Sequence, residues 1–370
     1  MRDEHLVVAA GGTGGHLYPA LAVAERFRDL LEGARVTFIG TERGLESRIV
    51  PKAGFPLEYV RAHPLRGGSL LKKMKGVLGL LQGMIDARRI LKKLRPSVVM
   101  GLGAYVSGTV LLTAALRGIP TLILEPNAEP GLANKWLGPF IDEAALAWEQ
   151  TSRHFGAKAV ITGNPVRQAI VDVASLTEDA QGPVMRVLLF GGSQGSSILN
   201  RAMTDSLPLL AGVSERLDIV HQTGPSDFER VRRAYENSPV NGRVTPYIDA
   251  MDEAYATSDL VVSRAGATTC AELAACGRPA LLVPLPLAGG HQEANASLLE
   301  RSGAARSILQ SELTPERLTQ ELVSLLGAPE KRLVMAAAAR ALARPDAAKK
   351  VAERLVRLSG GAGLSEGATS

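Results

Sequence analysis

Twice in this chain, about 180 residues apart, an apolar run breaks on a cluster of glycines and resumes as a helical pattern: "VVAAGGTGGHLYPALAVAERF" at 7–27 and "VLLFGGSQGSSILN" at 187–200. A strand passing through a tight turn into a helix opens a βαβ unit, and short Val/Leu/Ile runs without alternation read as strands buried on both faces. The pattern predicts strands at 5–10, 35–39, 56–60, 97–101, 120–124, 143–147 and 158–162. A second series follows at 184–190, 217–221, 259–263, 279–283 and 305–308. Strands alternating with helices imply an α/β chain of doubly wound parallel sheets. At 370 residues it exceeds what one core usually serves, so two domains are expected. The polar, irregular stretch "GNPVRQAIVDVASLTEDAQGPVMR" marks the junction, giving a first domain over 1–163 and a second over 164–344. A helix at about 345–358 is expected to pack back on the first domain, with 359–370 a disordered tail.

Glycines let backbone turn tightly and approach a ligand, and the helix that follows offers unpaired N–H groups and the positive end of its dipole. Such a turn suits phosphate or another polar group. Gly11, Gly12, Gly14 and Gly15 form the first loop, and Gly191, Gly192 and Gly195 the second. Neither is a G-x-G-x-x-G dinucleotide fingerprint, since Leu17 stands where the first would need its third glycine. Neither is followed by the Gly-Lys-Ser/Thr of a P-loop. A third turn, "GLGAYVSG" at 101–108, follows another strand of the first domain. His16 stands directly after the first loop, where an imidazole can serve as general base or polar anchor.

Cys270 and Cys276 match no zinc spacing and are too few for a disulfide framework, so buried free thiols are expected. No apolar h-region follows "MRDEHLVVAAGG", and no run reaches the ~18 apolar residues of a spanning helix. The expected location is the cytoplasm or a membrane surface.

Seven segments in order, "GGTGGHLYPALAVA", "GLGAYVSG", "EPNAEPGLANKWL", "GNPVR", "GGSQGSSILN", "SRAGATTCAELAACGRPALLVPLP" and "HQEANA", resemble the bacterial MurG family, across roughly residues 5–310. The resemblance implies a GT-B fold, two Rossmann-like domains facing across a cleft. It implies transfer of N-acetylglucosamine from UDP-N-acetylglucosamine to the muramoyl 4-hydroxyl of undecaprenyl-linked lipid I. The product is lipid II of peptidoglycan synthesis, formed with inversion as a β-1,4 linkage by direct displacement. The implied location is peripheral, on the cytoplasmic face of the bacterial inner membrane, with cell-wall assembly proteins as further partners.

Position by position, the resemblance places the donor in the second domain. Ser193 and Gln194 would contact the diphosphate, Arg167 would supply positive charge, and Glu272 would accept hydrogen bonds from the ribose hydroxyls. The backbone at Ile248 would read the uracil edge, while Gln292 and Asn295, beside His291, would face the sugar hydroxyls. In the first domain Thr13, Gly14, Gly15, His16 and Asn127 would line the substrate site. His16 is the first candidate for the base that takes the acceptor proton and Glu125 the second; the sequence does not decide between them. Three departures from the family pattern stand out: Leu124 and Pro126 beside Asn127, Ala104 where glycine is usual, and Gly290 where an acid often precedes the histidine. No Asp-x-Asp is present, so no cofactor and no obligatory metal are expected.

Residues 61–95 carry ten Lys or Arg and one acid, a charge of +9 against +5 for the whole chain. In the C-terminal half, an apolar stripe packing on the sheet with a solvated basic face accounts for the pattern. "LLKKMKGVLGLL" is too apolar for one buried stripe, and Leu70, Leu71, Lys72, Lys73, Met74, Lys75, Val77 and Leu78 are expected to contact an anionic membrane surface. Nucleic acid is not expected, because the segment lacks stacking aromatics and the remainder is acidic. The alternatives of other classes are a UDP-sugar epimerase or hydrolase on the same fold, a dinucleotide-dependent oxidoreductase, and a non-catalytic scaffold.

Overall fold

The computed structural model describes residues 4–11, 14–42, 44–61, 70–176, 183–286 and 290–360, side chains at 70–78, 104–105 and 175–176 excepted. The chain forms two compact units, one of residues 1–167 with 346–370 and the other of 168–345.

The first unit runs β1 (His5–Ala9), α1 (Gly14–Leu30), β2 (Arg35–Gly40), α2 (Glu46–Lys52), β3 (Leu57–Tyr59) and α3 (Leu70–Leu94). It continues through β4 (Val98–Gly101), α4 (Ala104–Ala115), β5 (Thr121–Glu125), α5 (Leu132–Leu137), β6 (Glu143–Leu146) and β7 (Ala159–Ile161). The second unit comprises α6 (Gln168–Leu176), β8 (Met185–Phe190), α7 (Ser197–Ser206), β9 (Leu217–Gln222), α8 (Phe228–Glu236), β10 (Asn241–Thr245) and α9 (Met251–Ala256). Then follow β11 (Leu260–Ser263), α10 (Ala267–Cys276), β12 (Ala280–Leu282), α11 (His291–Arg301), β13 (Ala305–Ser307), α12 (Pro315–Leu326) and α13 (Pro329–Leu342). The last helix, α14 (Ala347–Ser359), belongs to the first unit.

Both sheets are parallel throughout, ordered β3-β2-β1-β4-β5-β6-β7 and β10-β9-β8-β11-β12-β13. In each, strand order reverses beside the first strand of the unit, between β1 and β4 and between β8 and β11. Ligands of open α/β sheets bind at the carboxyl ends of the strands flanking that reversal. Both predicted glycine loops lie there, after β1 and β8.

Among the described residues, twelve of the thirteen strands coincide with predicted runs. The exception, β10, reads "NGRVT" and is bonded only to β9. Its one apolar residue, Val244, stands among Asn, Gly, Arg and Thr, so the apolar run that marks the others is missing.

The first sheet is covered on one face by α1 and α14, whose Leu17, Val23, Phe27, Val351 and Leu355 join Val8, Phe38 and Met100 in one cluster. The other face carries α3 and α4, with Ile90, Leu91, Val110 and Leu111 against Val7, Val99 and Ile123. Arg354 of α14 bonds Glu143 of β6, Nε to Oε2 at 2.8 Å. Ser359 ends this helix and Gly360 follows at φ +78; the expected tail at 361–370 lies outside the described residues. On α3, Ala87, Ile90 and Leu91 face the sheet while Arg88, Arg89, Lys92 and Lys93 are exposed.

Candidate active site

In the first unit, three turns meet at the strand ends. After β1 the backbone at Gly11 lies so close to the Glu46 carboxylate that a Cβ there would stand 2.8 Å from Oε1. Glu46 is wholly buried at the start of α2 and accepts from the Thr41 N–H and hydroxyl, both at 2.8 Å. The turn after β4 is tied to β1 by Ser107, which donates to the Ala9 carbonyl at 2.6 Å and accepts from the Leu102 N–H at 3.1 Å. Gly103 takes the positive φ of that turn, +90, and Ala104 is the first helical residue.

α1 starts on Gly14, which is buried, and Gly15, which is exposed; Thr13 lies outside the described residues. His16 is half-buried in the first turn, its ring hydrogen-bonded to the Gly11 backbone, whose carbonyl can only accept. One ring nitrogen is therefore the donor, and the other is the basic one in the neutral imidazole. Burial lowers the pKa of the ring below its usual 6.5, and the charge of Glu125 opposes that shift without overcoming it. His16 is thus held neutral at physiological pH beside a carboxylate that favours its protonated form.

Glu125, the second candidate, is tied into a turn. At the end of β5 it is 1% exposed and accepts four hydrogen bonds. The N–H and amide of Asn127 donate to Oε1 at 3.0 and 2.9 Å, and the Gly131 N–H and Asn134 amide to Oε2 at 2.9 and 2.8 Å. A carboxylate offers about four acceptor sites, so receiving a proton here would break the turn that it organises. Glu125 thus anchors the turn from Asn127 to Asn134 and stands as a charge partner to His16. Asn127 is half-buried beside it. Leu124 and Pro126, two of the departures, are buried, Leu124 within the core on the α1 face. Arg167 stacks on Tyr18 of α1, its Cζ 4.5 Å from the ring centroid, close in sequence to His16.

In the second unit the loop after β8 is a turn closed by the Gly195 N–H on the Gly192 carbonyl at 2.9 Å, with Ser193 half-buried and Gln194 exposed. Ser196 caps α7. Beneath lies Arg264, from the end of β11, only 8% exposed. Its Nη1 donates to the carbonyls of Val283 and Pro284 at 3.1 and 3.4 Å. Its Nη2 donates to Ser196 Oγ at 2.9 Å and Gln310 Oε1 at 2.8 Å. All four acceptors are neutral. Burial without a carboxylate pulls the guanidinium pKa down, and an anion at the loop would relieve that cost.

Ile248 is half-buried in the turn between β10 and α9. Glu272, 7% exposed on α10, accepts from the Tyr255 hydroxyl at 3.0 Å. Gln292 accepts from the Leu285 N–H at 2.9 Å. Asn295 is 0% exposed and its amide donates to the Ala265 carbonyl at 3.1 Å, bracing the turn after β11. Gly290 sits at φ +61, with nothing within 4 Å of where a Cβ would lie. Cys270 and Cys276 are buried free thiols, that of Cys270 pushed up to about 12 by desolvation.

The side chains of Leu70, Leu71, Lys72, Lys73, Met74, Lys75, Val77 and Leu78 lie outside the described residues, although the backbone from Leu70 is helical. Asn134, Tyr255 and Arg264 escaped the sequence reading. Arg264 alone left a signal, a cation ending a buried apolar strand.

Doubly wound parallel units with glycine turns at both reversals, a neutral histidine at one and a buried arginine at the other, define a GT-B glycosyltransferase fold. Residues 6–146 match the glycosyltransferase family 28 N-terminal domain and residues 186–351 the family 28 C-terminal domain. A UDP-N-acetylglucosamine–N-acetylmuramyl-(pentapeptide) pyrophosphoryl-undecaprenol N-acetylglucosamine transferase of Anaeromyxobacter sp. (strain Fw109-5) is 43% identical over 350 residues, 94% of this chain and 92% of its own. The crystal structure of Acinetobacter baumannii MurG matches at TM-score 0.76 and 34% identity, covering 96% of this chain and 99% of that one. The chain belongs to the MurG family of glycosyltransferase family 28. A UDP-N-acetylglucosamine 2-epimerase matches at TM-score 0.70 over the full length of both chains, but at 13% identity, a likeness of fold alone.

Proposed function

We propose that this enzyme transfers N-acetylglucosamine from UDP-N-acetylglucosamine to the muramoyl 4-hydroxyl of lipid I, forming lipid II with inversion. One observation carries the assignment of roles: two similar glycine turns rest on opposite charges. Beneath the first are the buried carboxylates Glu46 and Glu125; beneath the second is the buried cation Arg264. A diphosphate is favoured at the second and disfavoured at the first, whereas a hydroxyl that must shed a proton is served by the first.

His16 takes that proton on its basic ring nitrogen as the hydroxyl oxygen bonds to the anomeric carbon and the bond from that carbon to the diphosphate breaks. The imidazolium so formed is stabilised by Glu125 and by the Gly11 carbonyl. UDP leaves with the electron pair, its charge met by the N–H groups opening α7, by Ser193 and Gln194, and by Arg264; Arg167 contributes a further fixed charge. Gln292 presents its amide to the sugar, Glu272 holds the ribose, and the Ile248 backbone reads the uracil.

An acceptor on a long lipid requires docking at the membrane, here the cytoplasmic face of the inner membrane, and α3 supplies the surface. Among its described side chains Leu81 and Ile85 are 52% and 50% exposed beside solvent-facing Arg88, Arg89 and Lys92. No helix among the described residues is long and apolar enough to cross a bilayer. Changing Lys72, Lys73 and Lys75 to Glu is expected to weaken co-sedimentation with anionic vesicles; unchanged binding would remove α3 from this role.

The deciding experiment incubates the purified chain with UDP-N-acetylglucosamine, with and without a short-chain lipid I analogue. Acceptor-dependent UDP release with a disaccharide-lipid product is expected. UDP or free sugar appearing without acceptor would favour an epimerase or hydrolase instead.

A further inference from the structure

Buried Tyr255 touches two of the segments assigned to the donor and stands on the helix that follows the third. Its helix, α9, begins three residues after Ile248. Its ring meets Phe190, the last residue before the second glycine loop, edge to face at 6.2 Å and 76°. Its hydroxyl donates to Glu272 Oε2 at 3.0 Å, and the residue is 0% exposed. No solvent is available to replace that bond.

We infer that Tyr255 is a positioning residue for donor recognition: it fixes the Glu272 carboxylate so that the ribose hydroxyls are read in register with the uracil and the diphosphate. The inference rests on the assignment of Glu272 to the ribose. A carboxylate on a flexible stem loses rotamer entropy when it binds; a phenol that already holds one oxygen sets the plane of the group beforehand. The phenol donates and never accepts the ligand's hydrogens, so it orders Glu272 without competing for the hydroxyls. Phe190 restrains the ring, which links the aim of Glu272 to the strand that launches the diphosphate loop.

The test compares dissociation constants of UDP, 2′-deoxy-UDP and 3′-deoxy-UDP for the full chain and its Tyr255→Phe, Glu272→Ala and double variants. A hydrogen bond to a charged group makes the wild-type preference for UDP over at least one deoxy analogue roughly tenfold or more. Tyr255→Phe is expected to shrink that ratio to within about threefold of unity by weakening UDP while leaving the deoxy analogue nearly unchanged. A general loss of packing would weaken both alike. Adding Tyr255→Phe to Glu272→Ala should change UDP binding little further. If Glu272→Ala removes the preference but Tyr255→Phe keeps it, or the two losses add, the positioning role is overturned. If Glu272→Ala keeps the preference, the ribose assignment itself fails. Should Tyr255→Phe not fold, Phe190→Leu frees the ring and leaves the hydroxyl, and an unaltered ratio there overturns the inference equally.

Discussion

Replacing Gly195 with alanine is expected to uncouple UDP binding while leaving the second unit folded. Gly195 and Gly224 pack backbone on backbone: a Cβ on Gly195 would lie 1.9 Å from the Thr223 oxygen, and one on Gly224 2.1 Å from the Gln194 oxygen. Ordinary contact begins at 3.4 Å, so the loops must part by about 1.5 Å, and the obstructing atoms are backbone that cannot swing aside. Gly195 also sits at φ +76, where alanine costs roughly 1–2 kcal/mol. A displacement of that size in a positioned group costs on the order of 10²-fold in function. The control is Gly192→Ala, which is strained at φ +93 but meets nothing within 4 Å. Calorimetric titration with UDP should show the Kd of Gly195→Ala raised on the order of 10²-fold, Gly224→Ala raised similarly from the other side, and Gly192→Ala raised much less. Thermal melts check that all three fold. Equal UDP affinity in the Gly192 and Gly195 variants would show that the loop contact does not govern the site.

Three further outcomes follow from buried groups. His16→Ala should lower kcat by roughly 10²–10⁴-fold, and because burial holds the ring below its usual 6.5, the acid limb of the wild-type kcat/KM profile should lie below pH 6.5 and vanish in the variant; a limb at higher pH contradicts this. Glu125→Gln turns an amide toward donors that a carboxylate satisfied, with a loss of about 1–3 kcal/mol for each donor orphaned, read in urea unfolding; an unchanged midpoint would deny its anchoring role. His221 is wholly buried between Asn200 and Tyr235, and desolvation depresses its pKa to about 3. The unfolded chain takes up that proton below pH 6.5 and the native chain only near 3, so stability is full above 6.5 and falls by ~1.4 kcal/mol per pH unit between. His221→Gln should flatten that slope; parallel pH profiles for the two would refute it.

The strands were legible because burial on both faces leaves an apolar run, and both loops because glycine lets a backbone lie where a Cβ would clash with its neighbours. β10 was not, since "NGRVT" holds one apolar residue and no such run. The candidate site was legible in its backbone, two glycine loops and a histidine at a helix start, but not in its neighbours. The sequence motifs do not display that Glu125 accepts from the turn between Asn127 and Asn134, or that the Asn295 amide donates to Ala265. Hydrogen-bond saturation is a property of three-dimensional neighbours, and nothing in a string of letters displays it.

The hardest feature to read is the one that assigns the chemistry. The two glycine loops are near-equivalents in sequence, and either offers a helix N-terminus to an anion. Their difference comes from residues far along the chain: Glu46 and Glu125 reach the first loop from the starts or ends of other elements, and Arg264 reaches the second from β11. A helix terminus carries about half a charge, whereas each of these side chains carries a whole one in a poorly screened interior. The side chain beneath therefore outweighs the terminus above it. It follows that exchanging the loop sequences alone would not exchange the roles of the two units, whereas Arg264→Met, with the second loop intact, should abolish most of the stabilisation that UDP confers in a thermal melt. Retained stabilisation would mean that the dipole of α7 suffices and that the buried charge is incidental.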